Sequence, residues 1–228
     1  MEIHGIDALE FIDSLKERWN LPGLAIGLSS HGDQTYFSSG TRSLEFDSVF
    51  DEDTVIPLGS VTKPFLAHAV GLCVNEGLLA LDVPVSQYVS DLIFCDATIH
   101  ATATLADFLS MRTGLDGTAE WKESAERSHE SIKSVAARLQ PKSGFRQNFI
   151  YSGFSISVAA MVLESVSKRK WTDILEEDFK ALGIQNYAFS YDQALRKGVA
   201  AHGYQRTMNA FTLYPWPEGE QSLVTGIP

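Results

Sequence analysis

The chain has 228 residues, a length that suits one large domain or two closely packed ones with a buried core. Hydrophobic residues make up 44% of it and charged residues 21%, which is typical of a soluble globular protein. The formal net charge is -11, and no long basic run occurs, so nucleic acids and anionic membrane surfaces are disfavoured as partners.

The N-terminal stretch predicts an amphipathic helix and no secretory signal. One helical face carries the apolar residues Ala8, Phe11, Ile12, Leu15 and Trp19. No stretch approaches the length of a transmembrane helix. The only cysteines, Cys73 and Cys95, are too few for a disulfide framework, and we interpret both as buried thiols in a reducing compartment. We therefore expect a cytoplasmic protein.

After the N-terminal helix, a pair of strands is predicted, and helices dominate the rest of the chain. Residues 24–38 indicate a hairpin with its turn at His31-Gly32-Asp33. A helix should follow from Val61 to about Glu76 and end at Gly77. Further helices are predicted at residues 104–115, 119–140, 155–168 and 171–183, the last with Thr172 as N-cap. From Ile184 onward the sequence is aromatic and irregular.

This order of elements predicts an α+β fold in one domain of residues 1–228. Residues 1–50 would supply the N-terminal helix and hairpin of a sheet subdomain, and residues 51–183 a mostly helical body. Residues 184–228 would form an irregular, truncated C-terminal part, which leaves an antiparallel sheet incomplete. A two-stranded sheet is marginally stable by itself.

A serine at the predicted start of the helix at 61–76 is followed three residues later by a lysine. Ser60 and Lys63 would share one helical face within side-chain reach. A serine hydroxyl is a weak nucleophile unless a neighbouring base takes its proton. A lysine can do so as a neutral amine, or can stay cationic and stabilise a tyrosinate that acts as the base. A capping serine beside a surface lysine is the alternative.

The spacing alone does not decide between these alternatives, because Ser165/Lys168 and Ser167/Lys170 repeat it. These two pairs are interpreted as a solvated helix C-terminus, where cationic residues are favourable. The six histidines show no metal-ligand spacing, and no glycine-rich phosphate loop is present. No metal and no cofactor are therefore indicated.

Longer motifs carry a family resemblance. The segments "LGSVTKPF", "LADFLSMRTGLDG" and "FRQNFIYSGFSISVAAMVLESVSK" resemble, in this order, the serine β-lactamase and penicillin-binding protein superfamily. The nearest branch contains class C β-lactamases, D-alanyl-D-alanine carboxypeptidases and related esterases. The resemblance implies a β-lactamase/transpeptidase-like fold, with a helical body beside an antiparallel sheet. It also implies that Ser60 is the acyl-accepting nucleophile and that Lys63 and Tyr151 handle its proton.

Two departures from the family pattern stand out. The Tyr-x-Asn motif reads Tyr151-Ser152-Gly153, so Ser152 and Gly153 would have to line the substrate site without the amide. The third motif, Lys or His, then Ser or Thr, then Gly, belongs on a C-terminal strand. Lys142-Ser143-Gly144 and Arg112-Thr113-Gly114 fit its letters loosely, but both precede Tyr151 in apparent loops.

The sequence thus predicts a serine hydrolase or acyltransferase of the esterase or transesterase type. Its substrate would be a small-molecule ester, thioester or amide, and an acyl-enzyme would form on Ser60. The alternative is a catalytically impaired or non-catalytic remnant of the family that acts as a binding or structural protein. The acyl group, the acceptor and the oligomeric state stay open.

Overall fold

The computed structural model describes residues 2–3, 6–117, 128–207 and 210–214. The strands are β1 (Glu2–Ile3), β2 (Ile6–Asp7), β3 (Gly23–Ser30), β4 (Asp33–Gly40), β5 (Tyr204–Arg206) and β6 (Phe211–Leu213). The helices are α1 (Ala8–Trp19), α2 (Thr62–Asn75), α3 (Val85–Tyr88), α4 (Ala97–Thr102), α5 (Leu105–Leu109), α6 (His129–Arg138), α7 (Gly153–Ser167), α8 (Trp171–Ala181) and α9 (Tyr191–Arg196). Two compact units result: a hairpin unit from Met1–Pro57 and the segment that begins at Asn186, and a helical unit from Leu58–Gln185.

Helix α1 forms where the sequence predicts it. The Asp7 carboxylate caps its N-terminus by accepting hydrogen bonds from two backbone N–H groups of the first turn, and Asn20 ends it in a left-handed conformation. The helix packs against β4. Lys16 Nζ, on α1, donates a hydrogen bond to Ser39 Oγ at 2.7 Å. The predicted hairpin therefore packs on the N-terminal helix.

The hairpin of β3 and β4 is also confirmed. The strands pair antiparallel from Gly23 opposite Gly40 to Ser30 opposite Asp33. His31 and Gly32 form the two-residue turn, and both have positive φ angles, 52° and 92°. Positive φ at both positions is the requirement of the turn that matches the twist of paired strands.

The C-terminal part of the hairpin unit is more regular than the sequence predicts. Helix α9 and the antiparallel pair β5–β6 lie in the stretch that we expected to be irregular. Val55 also pairs with this stretch: its N–H donates to Val199 O at 2.8 Å, and its carbonyl accepts from Ala201 N at 2.9 Å. The expectation of an irregular stretch was wrong. Strands β5 and β6 have only three residues each, which is too few for an alternating pattern to show. The partners of Val55 lie far away in the sequence, where no local pattern shows them.

Helix α7 forms the centre of the helical unit. Every residue from Gly153 to Leu163 is buried, and α2, α3, α5, α6 and α8 all pack against this helix. A helix that is apolar on all sides is stable in water only inside such a shell. The helical body predicted for residues 51–183 therefore has its core on α7, although the observed unit begins at Leu58 and ends at Gln185.

Several predicted helix boundaries and one burial assignment differ from the structure. The helix predicted at residues 104–115 ends at Leu109, and Met111 has a positive φ of 55°. Of the helix predicted at 119–140, residues 119–127 lie outside the described part, and α6 begins at His129. Thr172 is not an N-cap, because α8 already begins at Trp171 after Lys170. Cys73 is buried as predicted, but Cys95 is exposed.

In the described residues, no helix is both long and apolar enough to span a membrane.

Candidate active site

Ser60 lies in a single 3-10 turn, Gly59–Val61, that leads directly into α2. Gly59 has a φ of 53°, which glycine adopts more easily than any residue with a side chain. No atom lies within 4 Å of the position that a Cβ would take there. The glycine is therefore explained by the shape of the turn.

The Ser60 hydroxyl is held by Lys63. Lys63 Nζ donates a hydrogen bond to Ser60 Oγ at 2.8 Å, as the three-residue spacing on a helix predicts. Ser60 itself is exposed, so a substrate can reach the oxygen. The pair therefore differs from a capping serine beside a lysine that points into solvent.

Tyr151 comes from a distant part of the chain, immediately before α7, and completes the cluster. Its Oη is hydrogen-bonded to Ser60 Oγ, and Lys63 Nζ lies 4.9 Å from the centre of its ring. Partial burial by itself would raise the pKa of Tyr151. The hydrogen bonds from Lys63 and Ser60, together with the lysine charge, outweigh burial and lower the pKa below its usual value. With its lowered pKa, Tyr151 can act as a base toward the Ser60 hydroxyl at a lower pH than a free phenol could.

Comparison with known proteins identifies the family. The sequence model described as "Beta-lactamase" matches residues 10–221. The chain belongs to this β-lactamase family. Penicillin-binding protein 4 of Amycolatopsis lactamdurans is 25% identical over 84% of this chain and 51% of that protein. The esterase EstB of Burkholderia gladioli is 38% identical over 38% of this chain and 22% of its own.

The fold agrees with this family. A class C β-lactamase from Rhodobacter sphaeroides superposes with a TM-score of 0.75 at 25% identity, over 94% of this chain and 59% of that one. The predicted α+β, β-lactamase/transpeptidase-like class is therefore confirmed. The chain spans about half the length of penicillin-binding protein 4.

Ser152 and Gly153 stand where the family's asparagine motif continues, but the structure gives them a different role. Ser152 is completely buried. Its hydroxyl donates to the Asp116 carbonyl and accepts from Ser155 N at 3.1 Å, which makes it the N-cap of α7. Gly153 is the buried first residue of that helix. We expected both to line the substrate site. Neither presents an accessible polar side chain, so we leave both out of the proposed site.

The remaining Ser-x-x-Lys pairs lie at a helix end, as interpreted. Lys168 terminates α7 in a left-handed conformation, and the Ser167 hydroxyl donates to the Arg169 carbonyl at 3.2 Å. Neither Lys142-Ser143-Gly144 nor Arg112-Thr113-Gly114 lies on a strand. They pair with each other instead, through Lys142 N and Gly114 O at 2.8 Å. In the described part of the chain, no strand after Tyr151 carries the third motif of the family.

No group of three or more His, Cys, Asp or Glu side chains that could hold a metal ion occurs among the described residues. The ion pair between Asp107 and Arg146 escaped the sequence analysis. A Thr-x-x-Asp pattern at Thr104 and Asp107 could have marked the capping box at the start of α5. Nothing in the sequence links this box to Arg146, which is 39 residues away.

Proposed function

We propose that the chain is a serine hydrolase that forms an acyl-enzyme on Ser60. The main support is that Ser60 Oγ is hydrogen-bonded to both Lys63 Nζ and Tyr151 Oη while it stays accessible. Tyr151 would take the hydroxyl proton as Oγ attacks the carbonyl carbon of the substrate. When the tetrahedral intermediate collapses, the carbonyl–oxygen bond to the leaving alcohol breaks, and Tyr151 returns the proton to that alcohol.

Lys63 would act mainly through its positive charge. Its ammonium group, which donates to Ser60 Oγ and lies 4.9 Å from the centre of the Tyr151 ring, would stabilise a Tyr151 phenolate. Of the two roles that the sequence leaves open for the lysine, the geometry therefore favours the cation over the neutral amine. Water, or an alcohol if the enzyme is an acyltransferase, would then resolve the acyl-enzyme by the same steps in reverse.

An activated or small ester is the substrate class that fits best. Three apolar side chains next to the cluster in sequence are exposed: Leu58, Val61 and Phe149. Such side chains favour an apolar acyl or alcohol group over a charged peptide. The missing asparagine argues against amides and β-lactams, and the partial similarity to esterase EstB supports an ester. The two thiols that form no disulfide support a cytoplasmic location.

The second candidate is a family member without turnover. The observation in its favour is that Gly153 stands where the family has the asparagine whose amide holds the lysine and a substrate carbonyl. Such a protein would still bind small molecules or a partner through the same surface.

Covalent labelling distinguishes the two candidates. A fluorophosphonate probe should label the wild type once, and Ser60→Ala should abolish the labelling, because the probe needs an activated serine. Ser165→Ala and Ser167→Ala are matched controls, since each removes a serine of a second Ser-x-x-Lys pair, and both should label normally. A wild type that does not react, or a Ser60→Ala variant that still does, would contradict the hydrolase proposal.

A further inference from the structure

We infer that Arg146 and Asp107 are positioning residues that hold the loop before Tyr151, so that its phenol meets the Ser60 hydroxyl. The inference rests on the proposed function, in which Tyr151 is the residue that takes the proton. Neither residue of this pair contacts the Ser60 cluster directly. Their effect would pass through the backbone that leads to Tyr151.

The ion pair has two hydrogen bonds between the Arg146 guanidinium and the Asp107 carboxylate, and the carboxylate is buried. Arg146 Nε donates to Asp107 Oδ1 and Arg146 Nη2 to Asp107 Oδ2, each at 2.7 Å. The Asp107 side chain is only 5% exposed, whereas that of Arg146 is 46% exposed. Asp107 Oδ2 also accepts from the backbone N–H of Thr104 at 3.0 Å and from its hydroxyl at 2.9 Å. The carboxylate is therefore fixed to α5, and a planar guanidinium matches it in a single orientation.

The backbone around Arg146 is fastened to the segment that follows α5. Arg146 N donates to Arg112 O at 2.8 Å, and Ile150 N donates to Met111 O at 3.0 Å. Arg146 has a φ of 60°, a conformation that costs free energy in a residue with a side chain. The two hydrogen bonds of the ion pair with Asp107 offset this cost and stabilise the positive φ of Arg146. Tyr151 directly follows Ile150, so these two backbone hydrogen bonds fix the position of the Tyr151 backbone.

Side-chain packing contributes less to the placement of the tyrosine. Tyr151 is 52% exposed and Phe149, two residues earlier, is 68% exposed. On the other side of Tyr151, the buried Ser152 anchors the start of α7. Tyr151 thus lies in a short segment that is held on one side by the Arg146–Asp107 pair and on the other side by the buried Ser152. A displacement of the reacting groups by about 1 Å can cost about 10² in rate.

The experiment measures the ionisation of Tyr151 itself. Tyrosine labelled with ¹³C at Cζ reports each phenol by NMR as pH is raised, and the Tyr151→Phe variant assigns the signal. In the wild type, Tyr151 should ionise at a lower pH than a solvent-exposed phenol. In Arg146→Ala its pKa should rise toward the ordinary value, because the phenol loses its contacts with Lys63 and Ser60.

Two further variants separate positioning from folding. Arg146→Lys keeps the positive charge but loses the paired N–H donors of the guanidinium, so the pKa of Tyr151 should lie between those of the wild type and Arg146→Ala. This variant also replaces Arg146→Ala if the latter does not fold. Arg169→Ala removes an arginine of the same unit that pairs with Glu177, and it should leave the Tyr151 titration unchanged. The rate constant of fluorophosphonate labelling should fall about 10²-fold in Arg146→Ala, with little change in probe affinity.

The outcomes are distinguishable. If Arg146→Ala and Arg146→Lys lower the melting temperature but Tyr151 titrates as in the wild type, the pair is merely structural and the inference is wrong. If the titration shifts but the wild type never labels at Ser60, positioning stands and the hydrolase proposal fails. A wild type whose Tyr151 ionises like an exposed phenol would overturn both.

Discussion

The hairpin unit and the helical unit differ most in how much they bury. No residue of β3 or β4 is buried, and Leu28 and Tyr36 on these strands are 40% and 61% exposed. In α7, by contrast, every residue from Gly153 to Leu163 is buried. All three proposed catalytic side chains belong to the helical unit. The difference teaches that the Ser60 cluster depends on a helical core, while a two-stranded sheet contributes little stability of its own.

The largest effect should come from the helical core. Phe154→Ala removes a fully buried ring of α7 and should lower the free energy of unfolding by about 3–5 kcal/mol. Leu28→Ala in the exposed hairpin should cost less than about 1 kcal/mol. Urea denaturation of both variants measures the contrast. Equal losses of unfolding free energy in the two variants would show that the hairpin is packed as strongly as the core, which contradicts the difference between the two units.

The next effect concerns turnover. Tyr151→Phe should lower the rate of p-nitrophenyl acetate hydrolysis by about 10²-fold, because the proton of Ser60 loses its acceptor. Wild-type activity should rise with pH through the lowered pKa of Tyr151, since the phenolate is the base, and this rise should be absent in Tyr151→Phe. Tyr36→Phe is the matched control in the hairpin and should hydrolyse at the wild-type rate. A similar loss in Tyr36→Phe would mean that the reaction is not localised at Ser60.

The contribution of the Asp107–Arg146 pair to the free energy of unfolding should depend on pH in the acid range. Burial by itself would raise the pKa of Asp107, but the hydrogen bonds from Arg146 and Thr104 outweigh it and lower the pKa below 3.8. The unfolded chain then binds the proton more readily than the folded one. The stabilisation is therefore complete above the unfolded pKa, near 4, and is lost as pH falls through the lower folded pKa.

Asp107→Asn tests this contribution. At pH 7 it should cost about 2 kcal/mol, less than the about 3–5 kcal/mol typical of a fully buried pair, because the half-exposed Arg146 can be rehydrated. The cost should shrink as pH is lowered through the folded pKa of Asp107. Denaturant titrations at several pH values measure it, with Glu177→Gln, at an exposed ion pair, as control. A cost that does not change with pH would mean that the loss comes from the helix cap and not from the charge.

The smallest effect should be found at Thr172, although it too belongs to the helical unit. Since α8 begins before it, Thr172→Ala should change the free energy of unfolding by less than about 0.5 kcal/mol. Ser128→Ala removes an observed N-cap, whose hydroxyl accepts from Ser131 N, and should cost about 1 kcal/mol. If both cost the same, Thr172 would have a capping role that its position in α8 does not explain.

The sequence predicts well the features that depend on neighbouring residues. The hairpin, α1, α2 and the Ser60–Lys63 contact all follow from turn chemistry or helical spacing. The contact with Tyr151 was expected only through family resemblance, because periodicity says nothing about a partner 91 residues away. The Arg146–Asp107 pair was missed for the same reason, and the β5–β6 pair was missed because its strands have only three residues each. The burial of Ser152 as the cap of α7 was not foreseen, because a buried cap and a substrate-binding hydroxyl look identical in sequence.

The separation of 91 residues between Ser60 and Tyr151 has a kinetic consequence. Closing a chain segment of this length has an entropic cost that native contacts must offset, and such contacts form late in folding. The intervening residues include α3, α5 and α6, which pack against α7, so the nucleophile should meet its phenol only after these three helices have docked on it. Recovery of Ser60 reactivity after dilution from denaturant would then report the last step of folding of the helical unit. Far-UV circular dichroism, which follows helix formation, should recover earlier.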